Sequence, residues 1–312
     1  MIIVFGSIYM DLNVKIREFP EIGDSVLTQS YTSTPGGKGA NQALAAARAG
    51  AKTALVGKVG DDGSGLRILN NLKRHEVMTS GVAKTEEFPT GMAMVMKEKT
   101  GKPRTIVALG ANALVDADQA PTDIFRPDNV LLVQMELPME QNALVMKNAK
   151  DKGSQVILNL APSLSIPKQL FSLVDFLIVN QIEARRLAER MGINIKTDIA
   201  KMARKLAKDG KVTCIVTMGP DGVIAAKPDG SGWKLPSMQL GDSVVDTTGA
   251  GDCFCGTFAA CLHENKPLEA ALRMATVASG LSCLKEGTIE SYPYLSDVED
   301  ALKGFAQVEP LD

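Results

Sequence analysis

Short runs of consecutive apolar residues, separated by helix-forming stretches, are what most constrains the fold of this chain. Residues 2–5, 53–56, 129–135, 155–158, 176–179 and 213–217 centre on Val, Ile and Leu without the polar alternation of a half-exposed strand. Strands of that kind are buried on both faces, as in a parallel sheet covered by helices on its two sides. Residues 40–49 (ANQALAAARA), 140–150, 183–190 and 198–208 have helical composition, and Gly50 stands where a C-terminal cap glycine belongs. The alternation predicts an α/β fold with a mainly parallel sheet. The region from Asp252 to about residue 305 reads as mostly helical.

Two segments depart from this rhythm. Residues 11–36 alternate apolar and polar at Leu12, Val14 and Ile16 and again over 26–34, with Pro20 and Gly23 as punctuation. Residues 90–109 alternate on either side of a turn at 100–103 (TGKP). Both read as hairpins. Together they predict a small antiparallel β lid, split in sequence, within a single domain spanning residues 1–312. Met92, Met94 and Met96 fall on one face of that lid by their period of two, which points to lid packing or a dimer contact.

The chain has 34 Lys and Arg against 36 Asp and Glu, a net charge of −2 over 312 residues. That balance argues against a broad nucleic-acid or anionic-membrane surface. The opening MIIVFG lacks the basic region of a signal peptide, and no run approaches the ~20 apolar residues of a membrane span. Cys214, Cys253, Cys255, Cys261 and Cys283 are odd in number and lack zinc-ligand spacing, so reduced, packed thiols are expected. These features together predict a cytoplasmic protein.

Two glycine-rich segments carry the chemistry. At 36–41 (GGKGAN) three glycines permit close approach to the backbone beside a cation, Lys38, and an amide, Asn41. The segment matches neither a Walker A loop nor a dinucleotide fingerprint, and a plain tight turn into a helix is the simpler alternative. At 246–252 (DTTGAGD) a glycine turn opens into a helix, where free amides and the positive end of the dipole form an anion hole. Asp252 is expected at or near the N-cap. There it either caps the helix or takes a proton from an attacking hydroxyl, next to a phosphoryl group held by the amides of Gly249, Ala250 and Gly251.

Residues 247–254 (TTGAGDCF) resemble the C-terminal signature of the ribokinase-like (PfkB-type) carbohydrate kinases. Residues 36–41 resemble their N-terminal signature, and residues 180–183 (NQIE) fit their N-x-x-E motif. The motif order is kept over almost the whole chain, with support from residues 6–11 (GSIYMD), 110–113 (GANA), 134–136 (QME), 159–162 (NLAP) and 217–222 (TMGPDG). The resemblance implies a three-layer α/β/α domain bearing the β lid. It also implies an ATP-dependent kinase that phosphorylates a primary hydroxyl of a sugar, with D-ribose the first candidate. Such a reaction needs positioning, charge neutralisation and exclusion of water more than covalent chemistry.

Residue by residue, the resemblance makes Asp252 the general base and Gly249, Ala250 and Gly251 the anion hole. Asp11, Gly37, Lys38, Asn41 and Glu136 would bind the sugar. Asn180 and Glu183 would act around the phosphates of Mg-ATP, and Thr217, Gly219, Gly222 and Thr276 would border the nucleotide. A monovalent cation, K⁺, would be held at Asp246, Thr248, Ser282, Lys285, Gly287 and Ser291, mostly through carbonyl oxygens. A homodimer through the lid is implied as well. One position departs from the pattern: family members acting on ribose carry Asn two residues before the residue matching Asp11, and this chain has Tyr9. A different sugar or a nucleoside is therefore the alternative acceptor. A catalytically silent sugar- or nucleotide-binding protein is the alternative of another class.

Overall fold

The computed structural model describes residues 1–98, 103–195 and 197–311. Its strands are β1 (Ile2–Phe5), β2 (Tyr9–Lys15), β3 (Tyr31–Gly36), β4 (Thr53–Gly60), β5 (Met78–Thr85), β6 (Gly91–Lys97), β7 (Pro103–Ala108), β8 (Val130–Gln134), β9 (Gln155–Asn159), β10 (Phe176–Asn180), β11 (Thr213–Thr217), β12 (Val223–Ala226), β13 (Gly232–Leu235) and β14 (Glu309–Pro310). Its helices are α1 (Lys38–Arg48), α2 (Gly63–Arg74), α3 (Met139–Asp151), α4 (Gln181–Arg190), α5 (Ile199–Gly210), α6 (Ala250–His263), α7 (Leu268–Ser282) and α8 (Leu295–Leu302).

Among the described residues one large sheet has the order β5-β4-β1-β8-β9-β10-β11-β12-β13-β14. The pairings from β5 to β11 are parallel, and β12 to β14 extend the sheet antiparallel. All four side chains of β1 are wholly buried, as their lack of polar alternation predicts. Ile2 and Val4 pack with Leu44 of α1, Phe258 of α6 and Ala275 of α7. Ile3 and Phe5 point the other way, to Val145 of α3, Leu187 of α4 and Leu206 of α5. Two helical layers thus sandwich the sheet. The expected helix at 198–208 begins where its own sequence starts it: Asp198 is the N-cap of α5 and accepts from the Lys201 N–H at 2.9 Å.

The second sheet has the order β3-β2-β6-β7 and is built from the two segments expected to form the lid. Its outer pairings, β2 with β3 and β6 with β7, are antiparallel. The central one, β2 with β6, is parallel and joins the two halves. The alternation read over 26–34 yields a strand only from Tyr31. Ile22 and Leu27, just upstream, are almost fully exposed, so no burial rewards an extended ladder there. Residues 100–102 of the turn expected at 100–103 lie outside the described residues. Register places Leu12, Met94 and Ile106 in a row across one face, with Asp11 and Ala93 on the opposite face. The five cysteines are unpaired and four of them are buried. Among the described residues no helix is long and apolar enough to cross a membrane.

Candidate active site

From β1 the chain builds toward β4 and β5 on one side, whereas β8 to β11 extend the sheet on the other. Open α/β sheets bind ligands beyond the carboxyl ends of their strands at such a reversal. Here the crevice lies past β1 and β8. Ser7, just after β1, donates its hydroxyl to Glu136 Oε2, just after β8, at 2.5 Å. The N-terminus of α1 presses directly on this point. A Cβ on Gly39 would collide with the backbone of Gly6 and Ser7, so only glycine allows the approach. Gly37, the N-cap of α1, has φ 96°, a conformation that glycine tolerates.

Asp252 faces α1 across the crevice. Its Oδ2 accepts from Asn41 Nδ2 at 3.0 Å and its Oδ1 from Gln42 Nε2 at 2.9 Å. Gln42 is itself held by Asn159, 3.0 Å from its Nε2, and by Gln134, whose Nε2 donates to Gln42 Oε1 at 2.7 Å. The carboxyl group is thereby fixed in orientation by two amides that are fixed in turn. α6 begins three residues earlier than an N-cap at Asp252 would place it. Its N-cap is Gly249, in the left-handed region at φ 74°, and Asp252 is the third helical residue, with its side chain turned away from a capping role. The first helical bond of α6 is Cys253 N–H to Gly249 O, so the amides before Cys253 precede the ladder.

The acidic groups around the crevice influence one another. Burial first, then the charges of Glu136 and Asp252, push Asp11 up from 3.8 to about 7. Burial likewise raises Glu136, against the charge of Lys38 and the Ser7 hydrogen bond. Lys38 is raised chiefly by the charge of Asp252, against its own burial. Tyr9, at the root of the small sheet, is 2% exposed. Its hydroxyl has no hydrogen-bond partner among the described residues, and its ring fills the space over Gly91. Burial, then Glu136 and Asp11, raises the phenol above its usual range.

The shift of Asp11 fixes a pH dependence. The folded protein keeps a proton on Asp11 that the unfolded chain loses near 3.8, so between about pH 4 and about pH 7 the native state binds more protons. Stability of the ligand-free protein therefore falls over that window and levels off above it. Asp11→Asn removes this component, which is measured as a smaller loss of Tm from pH 5 to pH 8 than in the parent. The difference between the two proteins isolates Asp11 from Glu136 and Glu183, which are raised in the same direction.

Two cavities meet at Gly251. One, of about 150 Å³, is lined by Lys38, Asn159, Asn180, Glu183, Asp252 and Cys255 among others. The second, of about 530 Å³, is lined by Thr217, Gly219, Gly222, Met238, Phe254 and Thr276 among others. Thr217 and Gly251 line both. Asn180 and Glu183 form a reciprocal capping box on α4. The Asn180 side chain accepts from the Ile182 and Glu183 amides, each at 2.9 Å, and Glu183 Oε2 accepts from the Asn180 N–H at 2.8 Å. The N-x-x-E spacing thus starts a helix as well as placing a carboxylate at the cavity wall. Burial raises that carboxylate most, while the Asn180 bond and Lys38 oppose it.

A Cβ on Gly251 would meet nothing within 4 Å, so the space above this turn is open. Gly251→Val should leave the fold intact and intrude on the junction of the cavities. For the ATP that the resemblance implies, steady-state kinetics should show kcat/KM lowered by about tenfold with Tm unchanged.

The loop residues read as cation ligands are brought together only in part. Asp246 Oδ1 accepts from the Thr248 hydroxyl at 2.7 Å, and Oδ2 from the Gly287 N–H at 3.1 Å. Ser291 joins through its hydroxyl, which donates to Gly287 O at 2.6 Å. Burial would raise Asp246, but the bonds from Thr248 and Gly287 outweigh it and hold it low. The Ser282 hydroxyl turns to Ser279 O, and Lys285 is exposed. The donor set is carboxylate and carbonyl oxygen, which suits a hard monovalent cation.

Ser7, Gln42, Gln134 and Asn159 were given no role by the sequence reading, although they position Glu136 and Asp252. Ser7, Gln134 and Asn159 stand in the stretches 6–11, 134–136 and 159–162 that carry the resemblance, and they are buried polar residues at or just past the ends of apolar strands.

The chain matches the family model "pfkB family carbohydrate kinase" over residues 1–295. A ribokinase of Bacillus subtilis is 35% identical over 303 residues, covering 96% of this chain and 99% of the relative. A ribokinase of Thermotoga maritima superposes with a TM-score of 0.89 at 30% identity, covering 97% of this chain and 99% of that structure. An Arabidopsis thaliana ribokinase, solved in complex with ribose and ATP, gives 0.86 at 31% identity, covering 97% and 98%. With motifs, fold and near-complete coverage in agreement, the chain belongs to the pfkB family of carbohydrate kinases and is a phosphotransferase with an alcohol acceptor.

Proposed function

We propose that this protein is an ATP-dependent ribose kinase that forms ribose 5-phosphate in the cytoplasm. The observation that carries the reading is the position of Asp252: fixed by Asn41 and Gln42, one residue past the turn where the two cavities meet. Ribokinase relatives over nearly the full chain, one of them solved with ribose and ATP, support the choice of substrates. The sugar would sit past β1 and β8, with Asp11 and Glu136 accepting from its hydroxyls. ATP would occupy the larger cavity, with its triphosphate running past Gly251 toward Lys38.

In this arrangement Asp252 takes the proton of the primary hydroxyl as that oxygen attacks the γ-phosphorus. The amides of Gly249, Ala250 and Gly251 and the Lys38 ammonium face the charge that develops on the transferring group. A lid built on β2, β3, β6 and β7 would exclude water and limit hydrolysis of ATP. Glu183 presents a carboxylate at the cavity wall that fits Mg²⁺, with Asn180 positioning it through the α4 cap, and Mg²⁺ bound with ATP would supply neutralisation of phosphate charge. The Asp246 loop, with Thr248 and Gly287, would hold K⁺. The apolar row Leu12, Met94 and Ile106, with Ile106 62% exposed, would pair with a second copy of the chain.

The test is ADP release by the purified protein with Mg-ATP across ribose, other sugars, sugar phosphates and nucleosides, in potassium and in sodium. Turnover on ribose that is faster in potassium is expected. Turnover confined to nucleosides would reassign the acceptor, and equal rates in the two salts would remove the cation site.

A further inference from the structure

The turn that opens α6 is held from outside by one side chain the reading above does not use. Tyr292, 3% exposed, donates its phenol to Gly249 O at 2.9 Å. Its own backbone is tied to α1, because Arg48 Nη1 donates to Tyr292 O at 2.6 Å. Arg48 also lies over the ring of Tyr294, 5.0 Å from the centroid, and is 7% exposed itself. The hydroxyl of Ser291, the preceding residue, donates to Gly287 O. Tyr292 is therefore anchored on both sides before it reaches Gly249. The fit is close: a Cβ on Gly249 would lie 2.5 Å from the phenol oxygen.

A peptide plane makes this contact consequential. The Gly249 carbonyl and the Ala250 N–H belong to the same rigid trans unit, so holding the oxygen fixes the direction of the amide. Gly249 has φ 74° and ψ 2°, a region where glycine has alternatives and the plane is easily rotated. The Ala250 N–H has only a long bond to Thr247 O, at 3.3 Å, to steady it from within the turn. Gly249 O also accepts from Cys253 N–H at 2.8 Å, and the phenol uses its remaining lone pair.

We infer that Tyr292 is a positioning residue for phosphoryl transfer, one that holds the Gly249 carbonyl and thereby aims the Ala250 amide at the transferring group. This rests on the reading of residues 249–251 as the anion hole. It deepens that reading by assigning the aim of the amides to a residue 43 positions further along the chain.

Tyr292→Phe keeps the ring and its packing and removes only the donor. The carbonyl it leaves retains its bond from Cys253, so the variant folds with Tm close to that of the parent. Expected are a fall in kcat of about tenfold, the value of one hydrogen bond realised in the transition state, and an unchanged dissociation constant for ribose. Affinity for ADP with aluminium fluoride and ribose, which imitates the transferring group, should fall by the same factor while affinity for ADP alone does not. Parental kcat overturns the inference. So does a fall in kcat matched by equal losses of ribose and ADP affinity, the mark of general loosening. Asp252→Ala, assayed beside it, separates the two levels. An active Asp252→Ala overturns the reading of the whole site, whereas an inactive Asp252→Ala with a fully active Tyr292→Phe overturns the role of Tyr292 alone.

Discussion

Asp252→Ala should lower kcat by about a thousandfold, within the range that a positioned general base contributes, while ribose still binds. The expectation follows from where the carboxyl group is held rather than from the motif that contains it. Two amides orient it, and one of them keeps other partners when it goes. Gln42 keeps its bonds to Asn159 and Gln134, whereas the Asn41 amide loses the one side-chain partner it has among the described residues. The stability cost is then about 1–3 kcal/mol, that of one unsatisfied buried amide. Single-turnover kinetics with calorimetric ribose binding separates the two effects. Near-parental kcat would mean that the hydroxyl loses its proton elsewhere.

The largest effect on stability is expected at Gly39. Here α1 runs so close to the end of β1 that a methyl group has no place to go. The atoms it would meet are backbone atoms of Gly6 and Ser7, which cannot rotate aside as a flexible side chain can. Gly39→Val should therefore destabilise the protein by about 3 kcal/mol or more, read as a lower denaturant midpoint with unchanged slope. Whatever folded protein remains should bind sugar poorly, because moving α1 away from β1 also moves Lys38 and Asn41. A stability equal to that of the parent would show that α1 can shift without cost.

Much of this architecture is legible in the sequence, for reasons that can be named. Strands β1, β8, β10 and β11 are runs of consecutive apolar residues because both faces are covered, and such runs need no context to be recognised. The helix boundary at Asp198 was legible because the capping side chain is itself in the sequence. The first turn of α6 was misread by a few residues. Asp252 is a common capping residue, but the helix is started by Gly249, and only its backbone conformation shows that. The segment at 26–30 carries an alternating pattern with no surface to bury it, so pattern alone misled. β12 to β14 follow no crossover helix and were missed, since a short antiparallel extension has little periodicity to read.

The candidate site divides along the same line. Glycine-rich turns and the N-x-x-E spacing are local and could be found. Gln42 and Asn159 lie far apart in sequence and meet only because α1 and β9 converge on Asp252. Tyr292 lies 43 residues beyond Gly249, and nothing local marks a tyrosine near the C-terminal end as its neighbour. The N-x-x-E motif also gains a second meaning in three dimensions, since the same two residues cap α4 and line the smaller cavity.

The central claim is that the γ-phosphoryl group of a nucleotide in the larger cavity passes Gly251 onto the primary hydroxyl of a sugar held past β1 and β8 and facing Asp252. Phosphorus NMR of a reaction containing ribose and Mg-ATP tests it most directly, with 5-deoxyribose run in parallel. The account predicts one phosphate ester on the 5-oxygen of ribose, formed in step with ADP, and neither ester nor added ATP hydrolysis with 5-deoxyribose. Phosphate on the anomeric oxygen, or ADP accompanied only by inorganic phosphate, would contradict it.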